Sequence, residues 1–130
     1  MKVLLDTHLA IWASLNDPRL PAKARSMIAE PSNEIYVSAA SVWEISIKAG
    51  LGKLDMFNGG QAAAVFRLCG YKLLDVTAAH AGAVDNLPAF ANHKDPFDRM
   101  LVAQALQEAM VLLTDDARLP QYHPILIVAA

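Results

Sequence analysis

The sequence contains a single cysteine, Cys69, among its 130 residues. One cysteine cannot form an internal disulfide framework and suits a reducing compartment, so we expect a cytoplasmic protein. No apolar run approaches the roughly 18 residues that a membrane-spanning helix needs, so we expect no membrane association. The N-terminal apolar run soon reaches an acid at Asp6, which is unlike a secretory signal peptide.

An excess of positive charge is also lacking, since 11 lysines and arginines stand against 13 aspartates and glutamates. A protein that binds nucleic acid through counterion release alone is usually basic. If nucleic acid is the substrate, metal ions and a few local cations must therefore offset the acids. The sequence has no glycine-rich phosphate loop. Its histidines lack zinc-like spacing, and we interpret each as structural or solvent-facing: His8, His80, His93 and His123.

Apolar runs that alternate with helical patterns predict one α/β domain over residues 1–130. Val3 to Leu5 is a short uninterrupted apolar run, which is typical of a strand covered on both faces. The other predicted strands are Glu34–Val37, Lys72–Val76, Val111–Thr114 and Ile125–Val128. The predicted helices are His8–Leu15, one that begins at Pro21, Ser38–Ala49, Gln61–Leu68, Thr77–Asn86 and Asp95–Ala109. We therefore expect a parallel sheet with helices on both faces, the first strand central and the last at an edge near Pro124.

Acidic residues lie at the ends of the predicted strands or early in the helices that follow them. Asp6 ends the first strand, Asp115 and Asp116 follow the fourth, and Glu44 and Asp98 lie near helix starts. Because the carboxyl ends of parallel strands share one edge, these carboxylates should converge there. They would repel one another unless hard divalent cations bind them. The pattern favours in-line displacement at phosphorus by metal-activated water.

Several of these acids also have a structural interpretation. Asp95 suits the N-cap of its helix, and Asp98 suits the helix dipole. Asp98, however, heads an apolar stripe, and a capping acid has no need to face inward. Glu44 matches a capping box with Ser41 and stands four residues before Lys48. Its apolar flanks make an unpaired acid costly there.

A set of motifs runs in order along nearly the whole chain. They are Asp6-Thr7-His8 with Trp12, Ser38-Ala39-Ala40-Ser41-Val42-Trp43-Glu44-Ile45 with Lys48, Leu51-Gly52-Lys53-Leu54, Leu87-Pro88, His93-Lys94-Asp95-Pro96-Phe97-Asp98-Arg99, Ala103-Gln104-Ala105, Thr114-Asp115-Asp116 and Tyr122. As an ordered set they resemble the PIN-domain toxins of the VapC type. The resemblance implies a three-layer α/β/α sandwich with a mainly parallel five-stranded sheet. It also implies a Mg²⁺- or Mn²⁺-dependent endoribonuclease that acts on RNA and is blocked by a cognate antitoxin.

The resemblance also assigns roles to individual residues. The family's catalytic acids correspond to Asp6, Glu44, Asp98 and Asp116. Metal ligation is most often placed on the first and third of these, Asp6 and Asp98. Supporting roles fall to Thr7, Thr114 and Arg99. From their position in the sequence alone, His93-Lys94 and Arg99 flank the acids, where they could meet phosphate. The roles of His8, which replaces a common asparagine, and of Asp115 are left open.

The order of the acids after the fourth strand gives a conditional prediction. If the backbone stays extended beyond Thr114, then Thr114 and Asp116 face the same way and Asp115 faces solvent or caps the next turn. Asp116 rather than Asp115 would then reach the site.

Two other functions fit part of the pattern. A phospho-accepting receiver domain also clusters acids around Mg²⁺, but it needs an acceptor at the end of its third strand. Asp75 is the candidate there, and Lys72 is the one lysine near it. A PIN fold that only binds a partner is the second alternative, which a cleavage assay would exclude. The apolar composition and the resemblance together favour a homodimer.

Overall fold

The computed structural model describes residues 1–54 and 57–130. A five-stranded sheet lies between two layers of helices, as predicted. The strands are β1 (Lys2–Leu5), β2 (Glu34–Ser38), β3 (Lys72–Leu74), β4 (Val111–Thr114) and β5 (Ile127–Ala129). The helices are α1 (Thr7–Ser14), α2 (Ala22–Ala29), α3 (Ala39–Gly50), α4 (Gly59–Leu68), α5 (Ala78–Ala83) and α6 (Pro96–Glu108). Short 3₁₀ turns occupy Val84–Asn86 and Leu119–Tyr122.

The sheet has the order β3-β2-β1-β4-β5, and every strand pair is parallel. As predicted, β1 is central and β5 lies at an edge. Val3, Leu4 and Leu5 are fully buried because the strand contributes to both cores. Val3 and Leu5 pack with α1, α3 and α4, whereas Leu4 packs with α6 on the opposite face. Successive side chains of one strand thus hold the two helical layers to the sheet.

The predicted elements differ from the structure mainly at their ends. The third strand stops at Leu74 rather than Val76, because its partner β2 ends at Ser38, the residue paired with Leu74. The helix after it gives way to the 3₁₀ turn at Val84. The fifth strand begins at Ile127, two residues later than predicted, and the 3₁₀ turn Leu119–Tyr122 was not predicted.

Three of the helices that begin at the carboxyl edge of the sheet position the site. Asp6 follows β1 and caps α1, with its side chain accepting from Leu9 N. Ser38 ends β2 and caps α3. Asp95 caps α6 and accepts from the backbone N–H groups of Phe97 and Asp98, as the capping interpretation predicted. Among the described residues, no helix is long and apolar enough to span a membrane.

Candidate active site

A polar cavity of about 480 Å³ opens at this edge of the sheet. Among residues 1–54 and 57–130, six carboxyl side chains line it: Asp6, Glu44, Asp95, Asp98, Asp115 and Asp116. Basic side chains are present as well, namely Lys48, Arg118 and His8. The fold therefore brings all four predicted catalytic acids, together with Thr7, to one cavity.

Asp6 is the most constrained of these acids, with an exposed fraction of 5%. Its Oδ1 accepts from Leu9 N at 2.9 Å, and its Oδ2 accepts from Thr114 Oγ1 at 2.6 Å and from Asp115 N at 3.1 Å. Burial raises the pKa of Asp6 to about 7, against the lowering effect of the hydrogen bonds from Thr114 and Leu9. The nearby Asp115 carboxyl raises the pKa further. The metal-free site therefore disfavours the charged form of Asp6.

The chain bends immediately after Thr114, so the condition of the prediction about Asp115 and Asp116 is not met. β4 ends at Thr114, a bend follows at Asp115, and Asp116 N donates to Thr114 Oγ1 at 3.0 Å. As a result, both aspartates line the cavity. Asp115 is exposed but interacts with Asp6, whereas Asp116 lies near Asp98.

Glu44 is held from two sides, with an exposed fraction of 7%. Its Oε1 accepts from Thr7 Oγ1 at 2.7 Å, and its Oε2 accepts from Lys48 Nζ at 2.7 Å. Ser41 Oγ lies 2.9 Å from Thr7 Oγ1 and so supports the same contact. Because Ser38 is the N-cap of α3, Ser41 and Glu44 do not form the capping box considered above. The carboxylate is instead paired within the site.

Asp98 heads the buried stripe of α6, as its spacing predicted. Leu101, Val102 and Ala105 on this stripe are at most 1% exposed. Burial raises the pKa of Asp98, although the nearby His93 acts in the opposite direction. His93 Nε2 lies 3.1 Å from Asp98 Oδ2. Asp98 is thus partly withdrawn from solvent and oriented by a neighbouring ring.

One group in the described part of the chain meets the distance requirement for a metal site. Ligand atoms of His93, Asp98 and Asp116 all lie within 4.8 Å of one another. Asp6 is outside this group, although it lines the same cavity. Arg118 forms a two-point ion pair with Asp116, with Nε 3.0 Å from Oδ1 and Nη2 2.7 Å from Oδ2. This contact lowers the pKa of the Asp116 carboxyl.

The structure assigns the cations differently from the sequence prediction. Arg99 lies in a separate, smaller cavity, where Nη1 donates to Pro88 O and to Tyr122 Oη. The prediction that it meets phosphate at the acids is therefore not supported by its position. Arg118, which the sequence reasoning missed, lines the acidic cavity instead. The Asp-x-Arg spacing of Asp116 and Arg118 is the signal that could have found it, since Asp116 Oδ1 accepts from Arg118 N.

Two histidines lie at or beside the cavity. His8 is exposed at the cavity and stacks on Trp12, with ring centroids 5.7 Å apart. His93 is 2% exposed, and its Nδ1 lies 2.8 Å from Tyr122 Oη. The structural interpretation of His93 thus holds, but its contact with Asp98 was not predicted.

The parallel sheet, its covering helices and the acidic cavity define a class of protein. A family model described as PIN domain matches residues 3–123. This chain belongs to the PIN-domain family.

Within the PIN-domain family, the similar proteins are toxins of the VapC type, which confirms the resemblance seen in the motifs. Ribonuclease VapC22 of Mycobacterium tuberculosis is 32% identical over 130 residues, covering 94% of this chain and 93% of that protein. VapBC2 from Rickettsia felis, solved bound to a promoter DNA fragment, is 15% identical with a TM-score of 0.70, covering 99% and 98% of the two chains. VapC20 of M. tuberculosis, described as a sarcin-ricin loop cleaving toxin, is 17% identical with a TM-score of 0.61, covering 93% and 95%. The two solved structures show the shared fold.

Proposed function

We propose that this protein is a metal-dependent endoribonuclease that acts as the toxin of a type II toxin–antitoxin pair. The main support for this proposal is the cavity at the carboxyl edge of the sheet, which is lined by Asp6, Glu44, Asp98 and Asp116. The kinship with a protein named ribonuclease VapC22 supports RNA as the substrate.

The residues of the cavity fit a hard divalent cation. Oxygen ligands predominate, and burial without a counterion raises the pKa values of Asp6 and Asp98. We assign metal ligation to Asp6 and Asp98, with Asp116 beside Asp98. A bound Mg²⁺ or Mn²⁺ would neutralise the acids, polarise the phosphate and activate water.

The remaining groups of the cavity orient the catalytic acids and bind the substrate. Thr114 and the backbone N–H of Asp115 fix one oxygen of Asp6, and Thr7 and Lys48 fix Glu44. From that position Glu44 orients the attacking water and accepts its proton. Lys48 and Arg118 supply positive charge at the cavity, where an RNA phosphate would approach.

The similar proteins also indicate which partner this protein binds. The similar structures include VapBC complexes, which supports a cognate antitoxin that covers the site. We further propose a homodimer in the cytoplasm. The proposed compartment agrees with a lone cysteine, Cys69, which can form no internal disulfide.

The receiver alternative does not agree with the topology. Receiver domains have the strand order 2-1-3-4-5, which places the third strand beside the first. Here β3 is at the edge with β2 between it and β1, so Asp75 lies far along the sheet from Asp6. The binding-module alternative makes a different prediction, namely that the purified protein cleaves no RNA.

Cleavage of RNA by the purified protein tests the proposal. Activity should require Mg²⁺ or Mn²⁺ and be abolished by EDTA. Asp6→Ala, Glu44→Ala and Asp98→Ala should each abolish cleavage while circular dichroism shows a folded protein. Asp85→Ala, an exposed acid on a 3₁₀ turn outside the cavity, is the matched control and should retain activity. Cleavage that survives EDTA and all three substitutions would refute the proposal.

A further inference from the structure

A chain of hydrogen-bonding groups runs from outside the acidic cavity to Asp98. Arg99 Nη1 lies 3.1 Å from Tyr122 Oη, and Tyr122 Oη lies 2.8 Å from His93 Nδ1. The opposite ring nitrogen, His93 Nε2, lies 3.1 Å from Asp98 Oδ2. His93 is 2% exposed and Tyr122 is 8% exposed, so solvent offers these groups few alternative partners.

The direction of each hydrogen bond follows from the chemistry of its partners. A guanidinium has no acceptor, so Arg99 donates and the Tyr122 oxygen accepts. The single hydroxyl proton of Tyr122 has two acceptors within reach, His93 Nδ1 at 2.8 Å and His93 O at 3.4 Å, and the shorter distance favours Nδ1. With Nδ1 as the acceptor, a neutral ring carries its proton on Nε2, from which it can donate to Asp98 Oδ2.

We propose that His93 is a positioning residue, held by Tyr122 as the Nε2–H tautomer so that it fixes Asp98 Oδ2 and leaves Oδ1 free for the metal. The effect on cleavage rests on the proposed function, whereas the tautomer does not. Groups that orient metal-ligating side chains typically change metal affinity by 10- to 100-fold when removed.

Proximity alone would suggest a different role, since His93, Asp98 and Asp116 are close enough to share an ion. Metal ligation by His93 requires an unprotonated Nε2, the nitrogen that faces the carboxylates. The hydrogen bond from Tyr122 places the lone pair on the other nitrogen. His93 therefore belongs to the support of the site and not to its ligand set.

Long-range ¹H–¹⁵N correlation spectra test the tautomer directly, with His93→Gln used to assign the signal. We expect His93 to be the Nε2–H tautomer in the metal-free protein and to keep that proton when Mg²⁺ is added. An Nδ1–H tautomer, an imidazolium, or loss of the Nε2 proton on adding Mg²⁺ would overturn the proposal. These spectra are informative even if the protein cleaves no RNA.

Mn²⁺ binding by calorimetry, with single-turnover cleavage alongside, tests the consequence. His93→Gln can keep an N–H donor near Asp98 and should bind Mn²⁺ within about threefold of wild type, whereas His93→Leu should lose at least about tenfold. Tyr122→Phe keeps the ring that packs on Phe90 and removes only the hydroxyl, so it remains informative if His93→Leu does not fold. It should weaken Mn²⁺ binding severalfold and give a mixture of His93 tautomers. The positioning role would be refuted if both His93→Leu and Tyr122→Phe bound Mn²⁺ with wild-type affinity. If His93→Leu does not fold, wild-type affinity in Tyr122→Phe alone would refute it.

The chain offers matched controls for both substitutions. His80 is also 2% exposed and pairs with Glu108 on the far part of α6. His80→Leu should therefore lower stability without changing Mn²⁺ affinity. Tyr71→Phe removes a hydroxyl from a ring packed on Phe66 and should also bind Mn²⁺ normally. Equal losses of affinity in variants and controls would show a general effect of destabilisation and would overturn the proposal.

Discussion

The buried carboxyl of Asp6 should make the metal-free protein lose stability as the pH rises. In the unfolded chain this group titrates near its ordinary pKa of 3.8, whereas in the folded protein burial raises the pKa to about 7. Between these values the folded state holds a proton that the unfolded state has released. Linkage then requires that stability be greatest below the lower pKa and fall as the pH rises towards the higher one.

The magnitude follows from the two pKa values. One pKa unit corresponds to about 1.4 kcal/mol, so the whole change is on the order of 4 kcal/mol. Roughly 2–3 kcal/mol of it falls between about pH 5 and about pH 8. Asp6→Asn removes the titration while keeping the shape of the side chain. The substitution loses an acceptor for Thr114 and Asp115, but that cost is nearly independent of pH.

Urea unfolding in EDTA, followed by circular dichroism, measures the effect. The stability of Asp6→Asn relative to wild type should improve by roughly 2–3 kcal/mol from about pH 5 to about pH 8. A difference that stays constant within about 0.5 kcal/mol over this range would refute the reasoning. Asp17→Asn is the control, because Arg19 lowers the pKa of Asp17 and the group is ionised in both states over this range.

Three further outcomes are expected. Asp116→Asn should reduce single-turnover cleavage at least roughly tenfold, about 1.4 kcal/mol of transition-state stabilisation, because Asp116 lies within ligand distance of Asp98. Asp115→Asn should cost much less, because Asp115 is exposed and outside that group; the opposite order would contradict the assignment of Asp116. Mn²⁺ should raise the melting temperature of wild type much more than that of Asp98→Asn, because a ligand of the native state stabilises it by mass action, and equal shifts would exclude Asp98 as a ligand. Light scattering at micromolar concentration should give a homodimer, and a monomer would count against self-association.

The sheet was predictable because its strands are short apolar runs followed by acids or turn residues. The run at Val3 to Leu5 indicated burial on both faces, and the position of Asp6 after it indicated the edge where the site lies. The alternation of strands and helices then predicted which edge the other acids share. These features depend on hydrophobic periodicity and chain direction, which are visible in a single sequence.

The details of the site depend on interactions that periodicity does not report. The bend after Thr114 forms because its hydroxyl accepts from Asp116 N, a local contact that competes with continued strand pairing. Arg99 was assigned to the acids because it follows Asp98 in sequence. Successive residues of a helix, however, point about 100° apart, so the arginine faces another cavity. Arg118 reaches the site through a turn, where spacing alone gives a weak signal.

The pairing of β1 with β4, which comes late in the sequence, determines when the site can form during synthesis. β1 emerges from the ribosome early, but its neighbour β4 begins at Val111, and the hydroxyl that binds Asp6 belongs to Thr114. Contacts so distant in sequence form late, because a long loop must close first. A nascent chain therefore lacks Thr114, Asp115 and Asp116 until nearly all of the domain has been made. If the proposed function is right, the growing chain cannot act as a ribonuclease while most of it is still being translated.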